Sequence, residues 1–152
     1  MEIYPDFRDL IGAFAAADVR YLLVGGYAVG FHGRPRFTKD LDLWIEDSEE
    51  NLLRLAEALV SFGAPGNLAD ELRRAEPLDV VWMGRPPTRI DLVKAIPGVT
   101  FADVYPRRTT FAWHDVFVAV IGRNDLIAAK RASGRDQDLL DVKVLEGAER
   151  RP

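Results

Sequence analysis

The reading turns on LLVGGYAVGFHGRPRFTKDLDLWI, residues 22–45. It continues a short apolar run, Tyr21 to Val24, that Gly25-Gly26 stops, as expected for a buried strand. Residues from about Tyr27 to His32 are expected in a short helix, after which Gly33 and Pro35 force a loop. Leu41 to Glu46 then reads as a second strand. Period two puts Asp40 and Asp42 on one face and sends Leu41 and Leu43 the other way, into the core. Two carboxylates spaced so, about 7 Å apart, repel by about 2 kcal/mol at an effective dielectric near 20. A fold that accepts this needs a compensating cation, and an oxygen-only donor set suits Mg²⁺ or Mn²⁺.

Working outward, Pro5-Asp6 opens a helix with apolar positions Phe7, Leu10, Ile11 and Phe14, and Asp18 stands near its end. Leu52, Leu53, Leu55, Ala56, Leu59 and Val60 have helical spacing, so about Ser48 to Phe62 is an amphipathic helix capped by Asp47 or Ser48. Leu78 to Met83 is an apolar run, Gly84 to Pro87 is turn chemistry, and Arg89 to Val93 is a further strand. Trp113 to Ile121 holds two more edges, separated near His114-Asp115. Asn124 or Asp125 caps a helix that Gly134 breaks, and Asp136 to Leu145 forms another. The expected architecture is α+β: a small mixed sheet of about five strands flanked by helices. It forms one domain over residues 1–152, with C-terminal helices from about residue 123 packed on the core.

Asp91 is the third acid of interest. It lies between Ile90 and Leu92 in a run that otherwise reads as buried, and an unpaired charge there is costly. If its strand lies beside that of Asp40 and Asp42, three carboxylates converge. Such a set holds two divalent ions, or one ion and a general base, for in-line phosphoryl or nucleotidyl transfer. A D-x-D pair alone is common on solvated strand edges, and Gly-Gly at a strand end commonly makes only a tight turn. Strand, Gly-Gly, short helix, basic loop and D-x-D together are far more specific, because amides at a helix start can approach a phosphate. Arg34, Arg36 and Lys39 are the basic loop; they read equally as a triphosphate contact or as a solvated turn.

Composition narrows the classes. The chain has 48% apolar and 29% charged residues, which fits a globular protein. With 20 Lys and Arg against 24 Asp and Glu, the net charge of −4 argues against a general polyanion binder. The absence of Cys excludes disulfide and thiolate chemistry and fits a cytoplasmic protein. No signal-peptide pattern opens the chain, and no apolar run nears the roughly 20 residues of a membrane helix. His32 and His114 lack zinc spacing, and P-loop, dinucleotide-binding and serine-hydrolase motifs are missing. Phe37, Trp44, Trp82 and Trp113 read as core or edge packing rather than a stacking platform, and Arg85, Arg89, Arg107 and Arg108 as plain surface.

Gly25-Gly26 followed by Arg36, Thr38, Asp40 and Asp42 resembles the signature of the nucleotidyltransferase superfamily, in its Gly-Gly branch. It is most similar to the small nucleotidyltransferase-like proteins related to the AbiEii toxin family. The tail resembles that group too, with a helical Lys130, then Arg135, and Asp138 and Asp141 in a D-x-x-D turn of the next helix. The resemblance implies a polymerase beta-like core, with NTP phosphates near Gly25 and Gly26 and with Arg36, Thr38, Lys39 and Arg135 on the substrate side. Mg²⁺ or Mn²⁺ would be held by Asp40, Asp42 and Asp91, and Asp91 would activate the acceptor hydroxyl. Lys130 would contact phosphate or position the site, and Asp138 would orient Lys130 or Arg135. Two departures stand out. The related toxins carry extra helices for their acceptor, and Gly26 replaces a Ser found in many superfamily members, leaving only amides there.

The function expected is metal-dependent transfer of an NMP group from an NTP to a hydroxyl. The acceptor stays open among tRNA, a protein and a small alcohol, with a toxin–antitoxin context and a cognate protein partner both conceivable. The alternative is a catalytically inactive module of the same fold acting as an antitoxin-like partner. A nucleic-acid binder using the Arg34–Lys39 loop is a third reading.

Overall fold

The computed structural model describes residues 2–149. Its centre is a six-stranded mixed sheet in the order β3-β4-β2-β1-β6-β5. The strands are β1 Tyr21–Val24, β2 Asp40–Ile45, β3 Val81–Met83, β4 Arg89–Val93, β5 Thr109–Trp113 and β6 Val116–Val120. Seven helices surround it: α1 Pro5–Ala16, α2 Gly25–His32, α3 Glu49–Phe62, α4 Leu68–Arg74, α5 Phe101–Val104, α6 Arg123–Ser133 and α7 Asp136–Glu149. The α+β class with a mixed sheet stands as expected, with one strand more.

The core explains the register. Leu41, Leu43 and Ile45 of β2 and Ile90 and Leu92 of β4 point away from the acids and are almost wholly buried. Phe7, Leu10, Ile11 and Phe14 of α1 and Leu52, Leu55 and Leu59 of α3 join the same core. Apolar burial is worth about 25 cal/mol per Å², so this strand face fixes register, and a one-residue slip would turn the acids inward. Along the opposite face of β2 the polar character ends at Trp44, whose ring packs edge-on against Phe101 of α5, centroids 5.3 Å apart.

Several boundaries differ from the sequence reading, each for a local reason. Helix α2 begins at Gly25 rather than Tyr27, because Gly25 takes φ +72° and turns the chain straight from strand into helix. Ser48 caps α3 by accepting from the Asn51 amide, as expected. Gly122, not Asn124 or Asp125, stands at the N-cap of α6. Asp125 lies inside the first turn and accepts a two-pronged pair from Arg107, at 3.0 and 2.9 Å. Of the run Leu78 to Met83 only Val81–Met83 pairs, with Val81, Trp82 and Met83 opposite Leu92, Asp91 and Ile90. Helices α4 and α5 were not expected; at seven and four residues they are too short to show a period. No helix among the described residues is long and apolar enough to cross a membrane.

Candidate active site

The site grows from three adjacent strands. β1 pairs antiparallel with β2, setting Val24 opposite Asp42, and β2 pairs parallel with β4, setting Asp42 opposite Asp91. Asp40, Asp42 and Asp91 therefore share one face, and each offers a carboxylate oxygen within 4.8 Å of the others. At that spacing each ionised pair repels by about 3 kcal/mol at an effective dielectric of 20. Among the described residues Arg89 answers this by a hydrogen bond, donating through Nε to Asp91 Oδ1 at 2.7 Å, and the Lys130 charge acts on Asp42 without offsetting its rise. Burial, then the neighbouring Asp40 and Asp91 charges, push the Asp42 carboxyl up to about 8. Burial and the Asp91 charge raise Asp40 as well. The triad is a site short of positive charge, and its hard oxygen donors fit a divalent cation of the Mg²⁺ or Mn²⁺ kind.

The Gly-Gly pair fits around these acids. A Cβ on Gly25 would lie 2.1 Å from Asp42 Oδ2, so glycine is required there for space as well as for its positive φ. A Cβ on Gly26 would lie 2.9 Å from Thr38 Oγ1 and 3.2 Å from Arg36 Cζ. The space a serine would use at position 26 is thus already taken by Thr38 and Arg36. The N-terminus of α2 has no side-chain cap, so first-turn N–H groups stand beside the acidic face.

On the other side stands an ion cluster from α6, α7 and the loop before β2. Lys130 Nζ lies 3.2 Å from Asp138 Oδ1 and 3.0 Å from Asp141 Oδ2. Arg36 reaches Asp141 with both Nε and a terminal nitrogen, each at 3.1 Å. Arg135 Nε donates to Asp138 Oδ2 at 2.8 Å. Burial pushes the Asp138 carboxyl upward, but hydrogen bonds from Arg135, Ser133 and Lys130 outweigh it and hold the group well below the usual carboxylate range. Asp141 is likewise lowered, since Lys130, Gln137 and Arg36 overcome its burial. Three cations against two carboxylates leave one positive charge in excess, next to the triad. A cavity of about 170 Å³ separates the two regions, lined by Gly25, Asp42, Lys130, Arg135 and Asp138. A larger groove of about 560 Å³, between β5 and the start of α6, contains none of the three acids.

Some sequence readings need correction. Asp138 and Asp141 of the D-x-x-D turn face inward, both 1% exposed. Arg36 leaves the basic loop and turns inward to Asp141, so Arg34, Arg36 and Lys39 form no continuous patch. Arg89 is not plain surface, because it holds Asp91. Trp44 and Trp113 lie in the core, but Phe37 and Trp82 are exposed. Arg107 and Arg108 do stay at the surface, paired with Asp125 and laid over the Tyr105 ring. Thr38 donates its hydroxyl to the Asp40 carbonyl at 3.1 Å. The D-x-x-D turn named Asp141, three residues after Asp138, but gave it no role, and only its contacts make it the joint of the ion cluster.

No protein-family model matches the chain, and no curated protein sequence is significantly similar to it. Solved structures do resemble it. The lincosamide antibiotic adenylyltransferase LnuA, in its lincomycin-bound crystal structure, superposes with a TM-score of 0.62 at 13% identity, covering 96% of this chain and 98% of that one. An antigenic nucleotidyltransferase-like protein from Paracoccidioides brasiliensis superposes with a TM-score of 0.50 at 14% identity, covering 94% of this chain and 74% of that one. At these identities the likeness concerns the fold, which is that of nucleotidyltransferases.

Proposed function

We propose that the chain is a divalent-metal-dependent nucleotidyltransferase that moves an NMP group from an NTP to a hydroxyl acceptor. The observation that carries this reading is the convergence of Asp40, Asp42 and Asp91 beside the Gly25 turn, with oxygens within 4.8 Å of one another. Asp40, Asp42 and Asp91 would hold the metal, which when bound polarises the α-phosphate and offsets the charge that develops on it. Amides of Gly25 and Gly26 at the start of α2 bind phosphate oxygens. Lys130 and Arg135, lining the cavity opposite, orient the triphosphate, and Asp138 and Asp141 hold Lys130 in place. Arg36 and Thr38 shape the floor under Gly26, and Lys39 lies on the approach to Asp40.

Asp91 accepts the proton of the acceptor hydroxyl. The acceptor oxygen bonds to the α-phosphorus, the bond to the β-phosphate bridge breaks, and pyrophosphate leaves. LnuA is an adenylyltransferase of a lincosamide antibiotic; as its fold is spanned almost entirely, a small hydroxylated molecule is the acceptor class we favour over tRNA or a protein. The AbiEii-like toxin context belongs to the other acceptor classes. An NTP donor suits the cytoplasmic location expected from the sequence.

The test is calorimetric binding of each of the four NTPs with and without Mg²⁺, followed by transfer of α-labelled NTP to a lysate's small-molecule fraction. Mg²⁺-dependent binding that Asp42→Asn abolishes is expected. Wild-type protein that binds neither NTP nor Mg²⁺ at millimolar concentration rules the enzyme out. Co-purification with a protein partner, unaffected by Asp40→Ala, would instead identify the inactive module.

A further inference from the structure

Beside the triad, at the edge of the sheet, stands an aromatic side chain with no part in the chemistry above. Trp82 is the middle residue of β3 and pairs with Asp91 of β4, so both side chains rise from the same face, one strand apart. The residue is 55% exposed. Arg89 joins the two. Its guanidinium carbon lies 4.7 Å from the Trp82 ring centroid, and its Nε donates to Asp91 Oδ1 at 2.7 Å. Trp82, Arg89 and Asp91 thus form one continuous wall. Leu78 and Val80, in the segment leading into β3, are exposed as well.

Strand order gives this wall a direction. Across the sheet come Gly25 at the end of β1, Asp40 and Asp42 on β2, Asp91 on β4 and Trp82 on β3. In-line displacement sets the entering and leaving oxygens on opposite sides of the phosphorus. With the leaving pyrophosphate on the Gly25 and Lys130 side, the entering hydroxyl arrives from the β3 side. There it meets Asp91 with Trp82 at its flank.

We infer that Trp82, braced by Arg89, is the acceptor platform. It stacks the less polar face of an uncharged, ring-bearing alcohol of the glycoside kind and presents a ring hydroxyl to Asp91. The inference rests on the nucleotidyl-transfer reading. In the step the hydroxyl oxygen bonds to the α-phosphorus, its proton passes to the Asp91 carboxylate, and the α–β bridge breaks to release pyrophosphate. Local chemistry favours a neutral ring over a polynucleotide. A polyanion needs a track of available cations, whereas Arg89 is already engaged by Asp91, the exposed segment before β3 carries the acids Glu76 and Asp79 beside Leu78 and Val80, and the chain carries −4.

The probe is methyl β-D-glucopyranoside, titrated into the full-length ¹⁵N-labelled protein and followed by NMR, with single-stranded oligoadenylate as the competing arm. The indole signals of Trp44, Trp82 and Trp113 are separated by assigning the Trp82→Phe spectrum. The glycoside is expected to move the Trp82 indole and the β4 amides and to leave Trp44 and Trp113 still. In Trp82→Ala the β4 response weakens about tenfold, and in Trp82→Phe it is largely kept. A Trp82 signal that the glycoside does not move overturns the platform, as does one moved by oligoadenylate alone. An equal β4 response in wild type and Trp82→Ala overturns it too. Mg²⁺-dependent NTP binding is measured in parallel. If that fails while the glycoside still moves Trp82, the transfer reading falls and the sugar-binding platform stands. If NTP binds and the glycoside does not, the platform alone falls.

Discussion

Two charged regions face each other across the cavity, and they have opposite economies. On β2 and β4, Asp40, Asp42 and Asp91 crowd together, Arg89 bonds to Asp91, and the Asp42 carboxyl rises to about 8 although the Lys130 charge opposes the rise. On α6 and α7, Asp138 and Asp141 are buried at least as deeply, yet both are held below the usual range by Lys130, Arg135 and Arg36. Burial alone cannot account for the difference, since it pushes all four of these shifted acids upward. What differs is whether the protein brings its own counter-charge. The helical cluster has a cation for each of its acids and one to spare, and holds two helices and a loop together. The strand cluster is left short, the condition expected of a site that takes its counter-charge from solution.

The sharpest way to break the comparison is to remove one acid from each side. Asp42→Asn should reduce transfer by about 10³-fold, as loss of a transition-state charge contact does, while thermal stability in metal-free buffer rises because a repulsion has gone. Asp141→Ala should do the reverse to stability. It leaves Lys130 and Arg36 short of their partner, at a cost of about 3–5 kcal/mol. Denaturant titration of both variants reads the two signs; a shift in the same direction for both would end the distinction.

Acid and base should then separate the regions by pH. The raised Asp42 carboxyl binds a proton in the folded state that the unfolded chain has already lost. Its contribution is therefore present below about pH 4 and is lost as pH rises toward about 8. One such proton gives a slope of about 1.4 kcal/mol per pH unit between those limits. Millimolar Mg²⁺ should flatten it, and chemical denaturation at several pH values with and without the ion measures this. Asp138 and Asp141 run the other way. Their lowered values add stability that is present above the unfolded carboxylate range and is lost as pH falls below about 4, and Asp138→Asn should reduce that acid loss without touching the slope near neutrality. The smallest effect is expected from Arg36→Lys. It keeps the charge but gives up the two-pronged contact to Asp141, for about 1 kcal/mol and no change in the Mg²⁺ response.

Much of the strand side was legible in the chain. Alternation around Asp40, Leu41, Asp42 and Leu43 set two faces, and a charge at Asp91 between apolar neighbours asked for a partner. The end of the α6 helix was readable at Gly134, which takes φ +70° there. Short α4 and α5 were not, because four to seven residues carry no period. The helical ion cluster was half visible: resemblance marked Lys130, Arg135 and Asp138, but whether these acids faced water or the interior depends on how α7 lies against α2 and the loop of Arg36.

The sequence by itself determined which residues alternate, where glycine must turn the chain, and that three acids sit in otherwise apolar strands, because those facts follow from local geometry and the cost of burying charge. Only the tertiary structure decided that β4 lies beside β2 in the register that brings Asp91 level with Asp42. It also decided that Arg36 reaches 105 positions along the chain to Asp141 and that Trp82 stands next to the acids on the open edge. These are pairings between distant segments. Their free energy comes from packing one face of the sheet on α1 and α3, and no local pattern encodes which strand will be the neighbour.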